Sequence, residues 1–461
     1  MSLPSDIETC HKLILAQHEQ IQMLVAKIVE LEARVNANSS NSHRPPSSDG
    51  LKKQPALPKK EKTNQGGQKG HKGDTLKMVE QVDHVEELCP ARCTCGASLA
   101  GVPKRLMDKR QVFDIPPPKL EVTEYRQMFC CCPKCGRIHC GEFPRQVGGP
   151  AQYGNRVRAL AVLLNVDYKL PVAKIGDLLG DLYGYTLNEG TTVAATQRCY
   201  DLLQPIERAI RSQLLASAAN HFDETGIRCA GKLHWLHDCS NALFTSLFAH
   251  PKRGRQALES EDSILPQYEG WSLHDFFASY FLFLKSRHAA CNAHILRELM
   301  ALEEQGHCWA GWFRSLLLTL YQLTDQGQGV LSPDQLAKAQ SMYQTIWNYA
   351  DEQEPPPKAT HKKGRKKATK GRNLLIRLDQ YREAVLAFAQ HQVVPFTNNQ
   401  AERDLRPAKI KLKVAGSFRT FKGAQIYARI QGFISTVRKH QFSAFNELVA
   451  VFNDQPISIP C

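Results

Sequence analysis

A chain of 461 residues is long enough for two or three domains with substantial cores, and its formal net charge of +14 with a pI near 9.1 favours a polyanionic partner. Nucleic acid is the economical partner and an acidic membrane surface the alternative. No stretch approaches the roughly 20 apolar residues that span a bilayer, Met1 to Thr9 lacks a basic segment followed by an apolar one, and fifteen cysteines, an odd number, suggest reduced thiols with a metal site rather than a disulfide framework. A cytoplasmic protein without membrane attachment is expected.

Residues 1–36 read as a heptad helix. Ile7, Ile14, Ile21, Ile28 and Val35 recur every seven residues, with Leu24 and Leu31 at the alternate seam position. β-branched residues at one seam position and leucines at the other favour a parallel two-stranded coiled coil, so the chain is expected to be a homo-oligomer, a dimer first of all. An amphipathic helix packed on its own chain is the competing reading. Residues 37–76 are rich in Ser, Asn, Pro, Gly and Lys and cannot bury enough apolar surface to offset their ordering entropy; they read as a flexible basic linker.

Residues 77–148 hold the cysteine-rich segment. Cys132-Pro133-Lys134-Cys135-Gly136 is a good zinc-knuckle half, and Cys93-Thr94-Cys95-Gly96 supplies the other half, with Cys89 as an alternative ligand because Arg92 stands where a regular Cys-x-x-Cys would begin. Between them, residues 111–115 and 120–125 alternate like the strands of a hairpin. A zinc-ribbon-like module with one structural Zn2+ is expected, against the reading that the thiols are degenerate or merely buried.

Residues 150–216 turn helical. A first helix centres on Leu160 to Leu164, Pro171 opens a second, Gly184 breaks it and Asn188 caps a third. The short helices allow a helix-turn-helix that would bind DNA, or plain helical packing. From 217 to 299 the pattern is α/β, with strands around Asp223, Leu233 to Leu236, Ala242 to Ala249 and Trp271 to Phe276. Residues 300–395 form an α-helical insertion whose segment 358–372 is strongly basic and reads either as a solvated loop or as a phosphate contact. Residues 396–461 begin with Asn398-Asn399-Gln400-Ala401-Glu402 and continue into a basic region with Arg403, Arg406, Lys409, Lys411, Lys413, Arg419 and Lys422 as candidate DNA contacts. Phe418, Phe421, Tyr427 and Phe433 are interleaved, for stacking on bases or for a core.

Asn399 and Glu402 can be read as a capping box. The other reading sets Glu402 beside Asp223 and Asp275, three acids in one pocket holding two Mg2+ or Mn2+ ions; such ions prefer oxygen ligands and suit an in-line displacement at phosphorus. Glu224, next to Asp223, and Asp238, on the second strand, are rival acids, and both rank below the three because a residue next along a strand points to the opposite face. In Arg287 to Leu299, Cys291 and His294 are more simply satisfied core groups than metal ligands, and Arg287 or His288 could meet a phosphate.

The run from Asn398 to Lys439 with Gly416-Ser417-Phe418-Arg419-Thr420, the block Asp223-Glu224-Thr225-Gly226 and the block Arg287 to Leu299 together resemble the insertion-sequence 66 family of bacterial transposases, over nearly the whole chain and in the expected order. The resemblance implies a DDE-type enzyme with a ribonuclease-H-like catalytic core, Asp223 on its first strand, Asp275 at the end of its fourth and Glu402 after the insertion. It further implies double-stranded DNA, both element ends and target, as the partner, with strand cleavage and 3′-hydroxyl strand transfer as the reaction. Bacterial, nucleoid-associated localisation and element-encoded helper proteins are implied as well. A DNA-binding regulator without catalysis, or a nuclease that does not join strands, are the alternatives.

Overall fold

A computed structural model of the chain describes residues 7–35, 76–144, 146–324, 329–357 and 368–460. Nearly all of the expected linker and residues 358–367 of the basic segment lie outside the described residues. The chain divides into two compact units, residues 55–126 and the remainder, which are taken separately.

In the smaller unit the expected strands at 111–115 and 120–125 do not form. Val112, Ile115 and Val122 are 91%, 84% and 86% exposed, so the alternation has no apolar layer to face, and Pro116, Pro117 and Pro118 have no amide hydrogens to donate to a ladder. What is ordered is a tight turn at Cys93: Gly96 donates its amide to the Cys93 carbonyl (2.9 Å), Cys93 donates to Ala97 (2.9 Å), and Gly96 takes φ +90°. The side chain of Gln111 pairs with both backbone groups of Val79, each at 2.7 Å.

In the larger unit, α1 (Ile7–Val35) is a single 29-residue helix, and Ile14, Ile21, Leu24, Ile28 and Leu31 along its seam are all exposed. A short antiparallel hairpin, β1 (Phe129–Cys131) and β2 (Ile138–Cys140), frames the Cys132 to Cys135 turn. The hairpin of the cysteine-rich segment therefore lies around its second thiol pair, not between the two pairs.

The helices that follow are α2 (Asn155–Val166), α3 (Val172–Tyr183), α4 (Glu189–Leu202) and α5 (Gln204–Leu215). Their boundaries follow the local chemistry: Pro171 stands before α3, Gly184 ends it in a left-handed conformation (φ +73°), and the Asn188 side chain accepts from the Gly190 amide to cap α4.

The central sheet has five strands in the order β5-β4-β3-β6-β7. They are β3 (Ala219–Cys229), β4 (Lys232–Ser240), β5 (Thr245–His250), β6 (Trp271–His274) and β7 (Arg287–Ala290). β3, β4 and β5 are antiparallel neighbours, and β6 and β7 run parallel to β3. The β3–β4 hairpin closes through Ala230 and Gly231, both at positive φ, as a two-residue turn requires. A short helix, α6 (Arg255–Leu258), precedes β6. The order anticipated for this region, three strands, a helix and a strand leading to Asp275, is the order observed.

α7 (Asn292–Glu303) begins before the expected insertion of residues 300–395, which holds α8 (Cys308–Leu323), α9 (Pro333–Gln353), α10 (Lys370–Gln380) and α11 (Arg382–Gln390). The chain then returns to the sheet as α12 (Asn399–Ala415), α13 (Phe421–Lys439) and α14 (Ala444–Phe452). α12 lies on β3 and β4, and α13 on β5. Gly432 allows the latter approach, because a Cβ there would stand 3.2 Å from the Thr245 carbonyl. One apolar core joins α2, α4 and α5 to β3, β4, β5 and α12 to α14; a second joins β6 and β7 to α7 through α11. Phe418, Tyr427 and Phe433 belong to the first core and Phe421 packs against it, so these aromatics are packing groups rather than a stacking surface.

Candidate active site

The register of the parallel strands brings the first two acids together. His221 on β3 lies beside Leu273 on β6, so Asp223 and Asp275 follow at the same end of the sheet. β6 stops at His274, and Asp275 turns away from it, its Oδ1 accepting the Phe277 amide at 2.9 Å. Asp223 Oδ1 accepts the Glu224 amide at 2.8 Å.

Glu402 comes to the same place because the start of α12 is bonded to β3. Asn398 Nδ2 donates to the Phe222 carbonyl (2.8 Å), the residue before Asp223, and Asn398 Oδ1 accepts from His221 Nδ1 (2.8 Å). Its amide donates to Cys291 Sγ (3.1 Å), and the Asn292 amide donates to the Phe396 carbonyl (3.1 Å). Burial pushes His221 down to about 4, so the ring is neutral and carries its proton on the nitrogen that faces Asn398. No capping box forms: α12 has Asn398 as its N-cap without a side-chain cap, since that side chain is used across the sheet.

The electrostatics record the convergence. Burial raises Asp223 well above the usual carboxylate range, and the carboxylates of Glu224, Asp275 and Glu402 raise it further, against the bond from the Glu224 amide. Three carboxylates, from three stretches of the chain, therefore act on Asp223. Glu224 belongs to the opposite face: Arg253 Nε lies 2.6 Å from its Oε1 and the Tyr280 hydroxyl donates to its Oε2 at 2.6 Å. Asp238 is different. It stands directly across from Asp223 in the antiparallel pair, on the same face, where burial and the Asp404 carboxylate hold it well above the ordinary range against Lys439 and the Ser240 hydroxyl. Asp404 is matched by Lys439 at 2.8 Å, Gln400 and Ser435, which makes this a braced, buried pair behind the front acids.

Among the described residues, no three His, Cys, Asp or Glu side chains stand as a ready-made metal cage. Glu402 is turned toward Arg297 Nη2 (3.5 Å) and His294 Nε2 (3.7 Å), both on α7. The donor chemistry nevertheless suits a hard cation: the three residues offer carboxylate oxygens, and burial together with the neighbouring carboxylates raises Asp223.

Arg297 was not anticipated as a partner of Glu402, although His294 and Arg297 are three residues apart and share a helix face. Cys291 is a buried core group, as expected. Arg287 lies over the Trp271 ring, and His288 bonds His274 (3.0 Å) and the Phe283 carbonyl (3.1 Å). Of the candidate DNA contacts, Arg403, Arg406, Lys409 and Lys413 are exposed on α12 within about 120° of arc, the side that also carries Glu402. Arg419 is exposed in the turn after α12. Lys411 turns inward to the Asn165 carbonyl (3.1 Å), and the Lys422 ammonium sits 3.9 Å from the centre of the Tyr200 ring. In α3 Lys174 pairs with Asp177 (3.0 Å), and Arg156 of α2 lies over the Phe445 ring of α14.

The two thiol turns have like local chemistry. Hydrogen bonds from the Lys134 and Cys135 amides lower Cys132, and bonds from Cys95 and Thr94 lower Cys93. Cys89, Cys95 and Cys135 are exposed thiols.

A family model described as the transposase IS66 family matches residues 150–426, more than half of the chain. The chain belongs to the IS66 family of transposases. It is accordingly a nucleic-acid-processing enzyme, and DNA is its expected partner. The match is narrower than the near-complete resemblance, leaving out residues 1–149 and 427–461, and a family of unknown function (DUF6444) matches residues 6–77, which hold α1 and the polar tract after it. No curated protein matches the transposase. No helix among the described residues is long and apolar enough to cross a membrane.

A raised carboxyl binds its proton more tightly in the folded state, so the fold loses stability as pH rises from the ordinary carboxylate range, where the unfolded chain ionises, toward the raised folded value. Asp223→Asn should therefore raise Tm by about 2 °C or more at about pH 8, and the gain should shrink as pH falls through the ordinary carboxylate range. Thermal unfolding followed by circular dichroism at a series of pH values measures it; no pH-dependent gain would mean that the acids do not strain one another.

Proposed function

We propose that this transposase cuts DNA at the ends of its element and joins the freed 3′ ends to target DNA, with Asp223, Asp275 and Glu402 as the metal-holding catalytic residues. The convergence of these acids on Asp223, from β3, the end of β6 and α12, is the observation that carries the reading. The sheet order, three antiparallel strands followed by two parallel to the first, supports a ribonuclease-H-like core.

Two Mg2+ or Mn2+ ions would supply Lewis-acid stabilisation of the entering and leaving oxygens of an in-line displacement at phosphorus. The chain's own residues set the geometry. Asn398 and His221 hold Glu402 against the strand of Asp223, and Asp275 is fixed by its bond from the Phe277 amide. Arg297 and His294 beside Glu402 suit a phosphate oxygen, and the Arg403, Arg406, Lys409 and Lys413 face of α12 gives the strand backbone an electrostatic path away from the acids. In the first step water displaces one side of a phosphodiester and leaves a 3′-hydroxyl. In the second that hydroxyl displaces a target phosphodiester, one P–O bond forming as another breaks, without a covalent protein intermediate.

The exposed seam of α1 supports a homodimer through a parallel coiled coil, since the isoleucine and leucine positions match those of a second identical helix. The lowered thiols of Cys93 and Cys132, each in a glycine-closed turn with a neighbouring Cys95 or Cys135, support structural Zn2+ binding, with Cys89 as a substitute ligand.

Replacing Asp223, Asp275 or Glu402 with Ala should lower strand cleavage and joining about a thousandfold each while DNA binding persists. Three active variants would overturn the assignment; cut ends that are never inserted would favour a nuclease, and binding without any metal-dependent cutting would favour a regulator. Ile21→Glu with Ile28→Glu should convert a dimer into a monomer by light scattering, and an unchanged mass would refer the seam to another partner. Elemental analysis of the purified chain should find zinc that Cys132→Ser depletes, and equal content in both would reject that site.

A further inference from the structure

The β3–β4 pair outruns its neighbours in the sheet. β6 pairs with β3 only from Ala219 to His221, and β5 ends at His250 opposite Trp235, so residues 227–229 and 232–234 continue beyond it as a two-stranded ribbon closed by the small turn Ala230-Gly231. Arg228, Ala230, Gly231, Lys232 and Leu233 are all exposed. Register sets Arg228 beside Leu233 on one face of the ribbon and Lys232 beside Cys229 on the other.

The turn that follows α12 braces this ribbon. The Phe418 amide donates to the Arg228 carbonyl (2.8 Å), the Ala230 amide donates to the Phe418 carbonyl (2.9 Å), and the Phe421 ring lies 5.3 Å from that of His234. Exposed Arg419 is thereby held next to the tip. α12 is tied to β3 near both its ends, through Asn398 at Phe222 and through Phe418 at Arg228, so its exposed cations lead from Glu402 toward the ribbon.

Charge and shape select the partner. No acidic residue lies between Glu224 and Asp238, and none from Leu405 to Asn446, so the ribbon, the turn and most of α12 carry cations with no carboxylate of their own to match them. Two strands about 4.8 Å apart, with nothing larger than a methyl at the tip, fit a major groove about 12 Å wide.

We propose that the β3–β4 tip enters the major groove of the DNA end that lies along α12, with Arg228 and Lys232 on the phosphates to either side of the groove and Arg419 beside them. From Asp223 to Ala230 the strand spans about 23 Å at about 3.3 Å per residue. DNA rises about 3.4 Å per base pair, so this contact falls about seven base pairs from the phosphate at the acids. The inference rests on the proposed DNA-cutting reading, but its readout does not require cutting.

The test maps, for the full chain without metal, the phosphates whose ethylation blocks binding to a duplex carrying the DNA ends that flank its own coding sequence. Wild type should show two blocks of sensitive phosphates. Arg403→Ala with Arg406→Ala should lose one block and Arg228→Ala with Lys232→Ala the other, the two lying about seven base pairs apart. The ribbon variant should also lessen the steepness of log affinity against log salt by about two. Arg228→Lys with Lys232→Arg, which keeps both charges, should restore the map and the salt dependence. Identical maps for the alanine ribbon variant and wild type overturn the proposal. So does a single block in wild type, equal weakening at every phosphate, or a variant that differs only in oligomeric mass, which would assign the tip to a second copy of the chain. Two blocks at that spacing from a protein that cuts no DNA with Mg2+ support the ribbon and defeat the catalytic reading instead.

Discussion

The side chain of Asn398 is hydrogen-bonded to the backbone of β3 one residue before Asp223, and its amide is bonded to Cys291 at the start of α7. The residue is buried, as are the Phe222 carbonyl's surroundings, so losing either partner would strand polar groups at a cost of about 1–3 kcal/mol each. That latch converts sequence distance into spatial proximity. Without it, α12 would still have an apolar face to bury through Ala401, Leu405 and Ala408, but nothing would fix how far along the sheet it lies. Helix packing alone tolerates a shift of one turn; three directed bonds do not.

The same helix separates two kinds of charge. Glu402 faces the front acids with Arg297 and His294 alongside, whereas Asp404, two residues later, faces inward to Lys439, Ser435 and Gln400. Asp238, across from Asp223, is joined electrostatically to this inner group. The carboxylates of Glu224, Asp275 and Glu402 raise Asp223, while the rear pair is braced by a lysine that also bonds the Asn241 and Phe244 carbonyls. A buried acid with a matched counterion holds the fold together; a cluster of acids left to repel is a cost tolerated for another purpose.

Much of the fold was legible because its signals are local. Pro171, Gly184 and Asn188 delimit α3 and α4 through backbone preferences that need no tertiary partner, and the three acids could be named because each lies in a distinctive block. Other features were hidden for physical reasons. The alternation at 111–115 and 120–125 imitates strands, yet alternation specifies a strand only where a layer exists to receive one face. The role of Lys411 depends on the Asn165 carbonyl, 246 residues away in the chain, and no local pattern encodes it. Asn399 looked like a cap because the motif is satisfied in sequence, but the preceding asparagine had a better use across the sheet.

The helical excursion between the second and third acids leaves and returns at one spot. Asn292 donates its amide to Phe396 and its side chain to Val385, so the exit and re-entry of about a hundred residues are stitched to each other before α12 begins. The excursion is closed at its base and shares the second core with β6 and β7. The position of the glutamate that follows is therefore set at this stitch rather than by the path of the helices in between.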